Sequence, residues 1–216
     1  MSKKKINWLS LFLEFFVVLV GILIAFQLTE YAESKRREQN LETHFNDIFK
    51  ETEYNQRNFS YAKSIADWNL KKIDSTLTLI LEKGDLNEIN RLSHDILNYG
   101  GLYIRQNAYT SLVESGDMKY FKRFEERKAV VDLYEYYVWV QLIESLSSNS
   151  FSEDIIPYFK ANFDLVNQTV QPRSSYDNKQ YLNALATYRM SIAQKITKYA
   201  DCEKIIAGFI KFYNER

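Results

Sequence analysis

Few side chains here could do chemistry: Glu14, His44, His94 and Cys202. Glu14 is a carboxylate inside the longest apolar run of the chain, FLEFFVVLVGILIAFQ, residues 12–27. In such a setting an ionisable group can relay a proton or face a protein partner, or it can simply keep its own proton, because desolvation raises a carboxyl pKa. His44 and His94 could titrate near neutral pH, although histidines in such positions are more often ordinary surface or interface residues. With a single cysteine and two distant histidines, the chain has a poor set of metal ligands and no internal disulfide. Cys202 is read as an apolar packing residue of the last helix rather than a reactive thiol.

No Gly-rich phosphate loop, nucleophile elbow, H-E-x-x-H or Cys cluster is present, and these are the patterns whose geometry carries catalysis or holds cofactors. The acid pairs Glu125-Glu126 and Glu153-Asp154 fit the first turns of helices, where the dipole favours negative charge. Sixteen tyrosines fit a bundle core whose hydroxyls reach its rim better than they fit a ligand pocket. No catalytic, cofactor-binding or metal residue is therefore expected.

The elements that position these residues follow from composition. An apolar fraction of 46% supports a packed core, and 28 basic against 28 acidic side chains leave no field to attract nucleic acid. Six Gly and two Pro in 216 residues point to helices joined by short turns, hence an all-α fold.

Residues 8–28 are almost all Leu, Ile, Val or Phe, and at about 1.5 Å per residue they cover the roughly 30 Å hydrocarbon layer of a membrane. A cleaved signal peptide is the competing reading, since Lys3, Lys4 and Lys5 precede the run. The run is longer than such a segment and lacks a clear A-x-A site. Basic residues flank both ends: Lys3–Lys5 before the run, and Lys35, Arg36 and Arg37 after it among Glu30, Glu33 and Glu38. The nearer lysines favour a cytoplasmic N-terminus. The expected organisation is a cytoplasmic tail over residues 1–7, a transmembrane helix over 8–29 and an extracytoplasmic, periplasmic helical bundle over 30–216. At 100° per residue Val18, Gly21 and Ala25 fall within about 40° of Glu14, with Gln27 on the far side. Small residues four apart let helices approach closely, so Glu14, Val18, Gly21 and Ala25 form a candidate packing face for another membrane helix. The alternative is that Glu14 reaches the interface or takes a proton.

Beyond the span, no Pro or Gly occurs until Gly84, which predicts one long helix or two nearly collinear ones. Leu41, Phe45, Ile48, Thr52, Asn55, Phe59, Ala62, Ala66, Asn69, Ile73, Thr76 and Ile80 recur at alternating spacings of four and three, a heptad stripe with polar interruptions. Gly84-Asp85 closes this helix and Asp85 caps the next, 86 to about 98, before the Tyr99-Gly100-Gly101 break. A short helix over about 106–114 and a long aromatic-rich helix over 121–146 are predicted next. The long one carries a stripe of Phe124, Val131, Tyr134, Val138 and Leu142, widened by Val130, Leu133, Tyr137 and Val140, so it is expected at the bundle centre. A polar loop at 147–150, a short helix near 151–163 and a final helix over about 178–213 complete the bundle. The final helix is expected antiparallel to the membrane-proximal one or its neighbour.

The segment EFFVVLVGILIAFQLTEY, residues 14–31, resembles the membrane segment of an uncharacterised group of small Bacteroidota proteins with the pattern E-x-x-x-V-x-x-G-I-L-I-A-x-Q-I-x-x-W. Glu14, Gly21, Ala25 and Gln27 match, and Tyr31 stands where the group usually has Trp, a swap between interfacial aromatics. AYTSLVESGDMKYF, residues 108–121, and the following helix ending Leu133-Tyr134-Glu135-Tyr136-Tyr137 are similar to that group's A-Y-x-x-L-x-S-S-G-x-L-x-x-I turn and Y-Y helix. The resemblance implies a single-pass inner-membrane protein with a helical extracytoplasmic domain, and it supplies no catalytic residues. Together these readings lead to a non-enzymatic, membrane-anchored interaction protein, touching membrane lipid and associating with itself or another membrane protein. Two alternatives stay open: a small-molecule-sensing helical bundle, and an energy-coupling subunit using Glu14.

Overall fold

An uninterrupted run of helix formers gives an uninterrupted helix. In the computed structural model, which describes residues 8–216, helix α1 runs from Trp8 to Leu81, 74 residues and about 110 Å at 1.5 Å per residue. The expected tail with Lys3, Lys4 and Lys5 lies outside the described residues. Helices α2 (Leu86–Asp95), α3 (Asn107–Glu114), α4 (Phe124–Ser150), α5 (Ile156–Asn162), α6 (Arg173–Tyr176) and α7 (Lys179–Asn214) follow, with no strand among the described residues. The fold is an all-α bundle behind one long N-terminal apolar helix.

The heptad stripe of α1 is buried from Phe45 to Ile80, with Leu41 partly covered at its lower end. Against it lies α7, antiparallel: Tyr213 stacks on Phe49, Tyr199 meets Phe59, Glu203 pairs with Lys63, and Arg189 pairs with Asp74. Helix α4 is antiparallel to α7 and so parallel to α1, as Tyr134 facing Glu51 and Tyr137 stacking on Phe59 require. Phe59 is central, its ring centroid 5.9 Å from that of Tyr137 and 5.6 Å from that of Tyr199. Truncating such a buried aromatic costs about 3–5 kcal/mol.

The end of α1 is a Schellman closure: the Gly84 amide donates to the Leu79 carbonyl at 2.8 Å and the Lys83 amide to Ile80 at 3.1 Å. Lys83, not Gly84, takes the left-handed conformation, with φ of 55°. A Cβ on Gly84 would lie 2.8 Å from Leu79 Cδ2 and 3.3 Å from Leu79 O, so a larger residue there requires the Leu79 side chain to shift. Asp85 then caps α2, its carboxylate accepting from the Glu88 amide at 3.1 Å.

The chain between α2 and α3 is not helical. It returns along α1 in extended form, held by side chains of the stripe and its neighbours. Asn69 donates to Asn98 O, Asn58 to Tyr103 O, and Asn55 exchanges two hydrogen bonds with the Arg105 backbone. A carboxylate oxygen of Glu51 accepts from the Ala108 amide at 3.0 Å and thereby fixes the start of α3. Gly100 is packed so closely that a Cβ would meet Ile65 Cγ2 at 2.5 Å.

Two expectations fail along α4. The polar stretch 147–150 is no loop: the helix continues through it into a π-helical turn, Phe151–Ile155, and on into α5. Ser147 is buried on the same face as Val130, Leu133, Tyr137 and Val140, so the buried stripe of α4 runs on through this stretch. Nor is α4 central, since Phe124, Val138 and Leu142 face solvent opposite the buried stripe. The heptad spacing of 130, 133, 137, 140 and 147 sets the buried face, which Tyr134 joins, while Phe124, Val138 and Leu142 of the other stripe lie on the opposite side of the helix. Glu153-Asp154 accordingly sits in the π turn and not in a helical first turn, whereas Glu125-Glu126 opens α4 as expected.

Candidate functional site

The four residues of the candidate packing face, Glu14, Val18, Gly21 and Ala25, lie on the apolar part of α1 that stands clear of the bundle. That part is long and apolar enough to cross a membrane, and none of its most apolar stretch is buried by the rest of the chain. An ideal Cβ added at Gly21 would meet no atom within 4 Å, so the close-approach surface that Gly21 offers is not used within the chain. From Leu41 upward the same helix is covered, so exposed and buried portions belong to one continuous rod.

The other singled-out side chains do not assemble into a reaction centre. His44 Nε2 lies 3.4 Å from Asp117 Oδ2 and 3.5 Å from Ser115 Oγ. Both partners address the same ring nitrogen, whereas a serine relay needs its carboxylate on the opposite one. His94 packs its ring edge-on against Phe159 and Phe163, and its Nε2 has no hydrogen-bond partner. Burial pushes its pKa down, against the opposing pull of Asp164 and Asp95. Cys202 is fully buried in the core, and burial pushes its thiol well above the usual range, as befits a packing residue. Among the described residues no group of three or more His, Cys, Asp or Glu is placed to hold a metal ion.

The tyrosines fill the core: Tyr137, Tyr176, Tyr181, Tyr188 and Tyr199 are among its largest fully buried side chains. Tyr176 OH donates to Asn90 and accepts from the Gln171 amide, and Tyr181 OH donates to Ser93. Tyr134 OH donates to Glu51 at 2.5 Å, and burial first, then this carboxylate, raises its pKa strongly.

Two constellations were not foreseen. The first is a buried ion pair on the inner side of α7. Lys195, 2% exposed, places Nζ 3.1 Å from Glu144 Oε1 and 3.1 Å from Gly100 O, which accepts its hydrogen bond. Burial lowers the lysine pKa and raises that of the glutamate. Lys195 continues the four-three spacing of Tyr181, Leu185, Tyr188, Ile192, Tyr199 and Cys202, so a cation in the buried stripe of α7 was the signal available for this pair.

The second is a charged cleft of about 360 Å³ where α1 enters the bundle, between residues 34–42 of α1, residues 120–126 and Arg216. Arg216 lies over the Phe45 ring and ties the end of α7 to both other long helices, through Glu126 at 2.8 Å and Glu42 at 2.5 Å. Lys122 pairs with Glu38 at 2.8 Å, and Arg37 lies over the Tyr120 ring at 5.1 Å. Glu126 was readable only as a first-turn acid; its burial follows from the arrival of Arg216, which no local spacing shows.

Comparison of the chain with family models, with curated proteins and with solved structures finds no match.

Proposed function

We propose that the chain is a non-enzymatic, membrane-anchored interaction protein. The span of α1 holds the helical bundle at a membrane and associates with another copy, or with another membrane protein, through Glu14, Val18, Gly21 and Ala25. The observation that carries this reading is the continuity of α1: a single helix is bare and apolar over its first part and forms the bundle's core stripe over the rest. Whatever grips the span therefore sets the position of the bundle. Gly21 and Ala25 allow close backbone approach, and a carboxylate in a span is best placed against protein.

In this reading the membrane is the inner membrane of a Gram-negative cell, with the N-terminus in the cytoplasm and the bundle in the periplasm. The orientation is supported by the lysines that precede the span, and the compartment by the resemblance of residues 14–31 to the Bacteroidota group. Crosslinking in intact membranes, followed by mass measurement in mild detergent, tests the proposal. Oligomers or a stoichiometric membrane partner are expected. Monomer alone, with no protein retained, would sink it.

A further inference from the structure

The stretch Lys-Tyr-Phe-Lys-Arg-Phe, residues 119–124, carries three cations, three aromatics and no acid. It joins the turn after α3 to the start of α4, at the end of the bundle that faces the span. Its level is fixed by contacts to α1: Lys122 with Glu38 and Tyr120 with Arg37. Glu38 lies about 15 Å along the helix from Leu28, the last residue of the apolar run. The headgroup layer occupies about 5–7 Å of that distance. Less than about 10 Å remains, which is thinner than a single helix with its side chains. No folded partner fits in that gap, so the surface these side chains meet is the lipid itself.

Their chemistry agrees. Phe124 is 66% exposed, an apolar ring turned outward beside the cations. Lys119 is exposed, Lys122 and Arg123 keep more than half of their side-chain surface in solvent, Lys122 pairs with the exposed Glu38 at 2.8 Å, and Arg123 lies 3.6 Å from Glu126, a buried carboxylate already held by Arg216. An exposed pair such as Lys122–Glu38 holds little free energy and exchanges readily for another anion, and Glu126 keeps Arg216 when Arg123 turns away. The cations also stand within about one Debye length, roughly 8 Å, of the headgroup plane, where the negative potential of an anionic membrane attracts them.

We infer that residues 119–124 seat the bundle on the membrane its own helix crosses, with Lys119, Lys122 and Arg123 binding anionic phospholipid headgroups and Phe124 resting at the interface. This inference rests on the membrane-anchored reading of α1 but not on self-association. The bundle would then stand on two supports, the span and this edge, and its tilt would respond to lipid charge.

The full chain is reconstituted in nanodiscs of phosphatidylcholine alone or mixed with phosphatidylglycerol, with a nitroxide quencher on the headgroups. A fluorophore is placed at Glu125→Cys, or at Val166→Cys at the far end of the bundle as control; Cys202 is buried and does not compete for label. Quenching at 125 is expected to exceed that at 166 at least about two-fold, to be stronger with phosphatidylglycerol, and to fall with high salt and in Lys119→Glu/Lys122→Glu/Arg123→Glu. Should the triple variant lose cooperative unfolding, Phe124→Ser and the salt series on the unaltered edge decide. Equal quenching at 125 and 166, or equal quenching in both lipids, overturns the inference and leaves the anchored reading standing. A chain that does not enter the nanodisc at all overturns both.

Discussion

Asn55 and Arg105 are joined as two strands would be: Asn55 Nδ2 donates to the Arg105 carbonyl at 2.9 Å, and the Arg105 amide donates to Asn55 Oδ1 at 2.9 Å. One side chain on a helix thus satisfies both backbone groups of a residue in an extended segment. An apolar replacement would orphan a part-buried N–H and a part-buried C=O together. Asn55→Leu is therefore expected to cost about 2 kcal/mol or more in denaturant unfolding, counting at least about 1 kcal/mol for each orphaned group. Asn58→Ala, which removes an exposed bond to Tyr103 O, should cost under about 1 kcal/mol. Equal losses in the two variants would show that Asn55 does not hold this segment.

The Lys195–Glu144 pair makes a different prediction, because its members suffer from burial as much as they gain from each other. Burial lowers the lysine pKa and raises that of the glutamate, and the charge of each partner opposes the shift of the other. Lys195→Met alone leaves a buried carboxylate and is expected to cost about 3 kcal/mol or more. Lys195→Met combined with Glu144→Leu should recover most of that loss. A double-mutant cycle in chemical denaturation measures the difference; additive losses would mean that the pair is not coupled.

His94 sets a pH dependence with a definite sign. Burial among Phe159 and Phe163 lowers its folded pKa below the unfolded value of about 6.5, so the unfolded chain binds the proton more readily. The contribution is fully present above about pH 6.5 and is lost as pH falls from there towards the folded pKa. Thermal unfolding should show a lower Tm at pH 5.5 than at pH 7.5, and His94→Phe should narrow the gap. Asp164 adds a loss of the same sign at lower pH: the amide of Asn167 leads the contacts that lower its pKa, so its contribution is present above about pH 4 and is lost as pH falls below it. An unchanged gap in His94→Phe would assign the acid sensitivity elsewhere.

The long helices were legible because their signals are local and repeated. Eleven stripe positions from Phe45 to Ile80 recur at heptad spacing, and all of them are buried. The polar members Asn55 and Asn69 read as interruptions of that stripe, yet they hold the returning chain at Arg105 and Asn98. Their partners lie 50 and 29 residues away in irregular backbone, which has no periodicity to detect. Thr52 and Thr76 are polar for another reason: their hydroxyls turn back to carbonyls of their own helix, at Ile48 and Lys72. Along α4 two apolar stripes compete, and spacing alone cannot say which one meets α7. The stripe of Glu14, Gly21 and Ala25 was read from the same kind of periodicity, and the bundle leaves that part of α1 exposed.

That face yields the last prediction. If two spans meet at Gly21 and Ala25, bulk at either position must separate them, because these small side chains let the backbones touch. Gly21→Leu and Ala25→Leu are expected to reduce crosslinked oligomer at least about ten-fold, equivalent to a loss of about 1.4 kcal/mol. Gln27 lies on the far side of the helix from the stripe, so Gln27→Leu should change little and serves as the control. The bundle has its own core and should unfold at an unchanged temperature in each variant. Glu14→Gln separates packing from proton chemistry: it keeps the shape and the hydrogen-bonding capacity of the side chain while removing its titration. Oligomer retained in Glu14→Gln, together with retained function in cells, supports a packing face. Oligomer retained with function abolished at normal protein level would instead favour proton coupling through Glu14. Undiminished crosslinking in both Leu variants would move the interface away from this stripe.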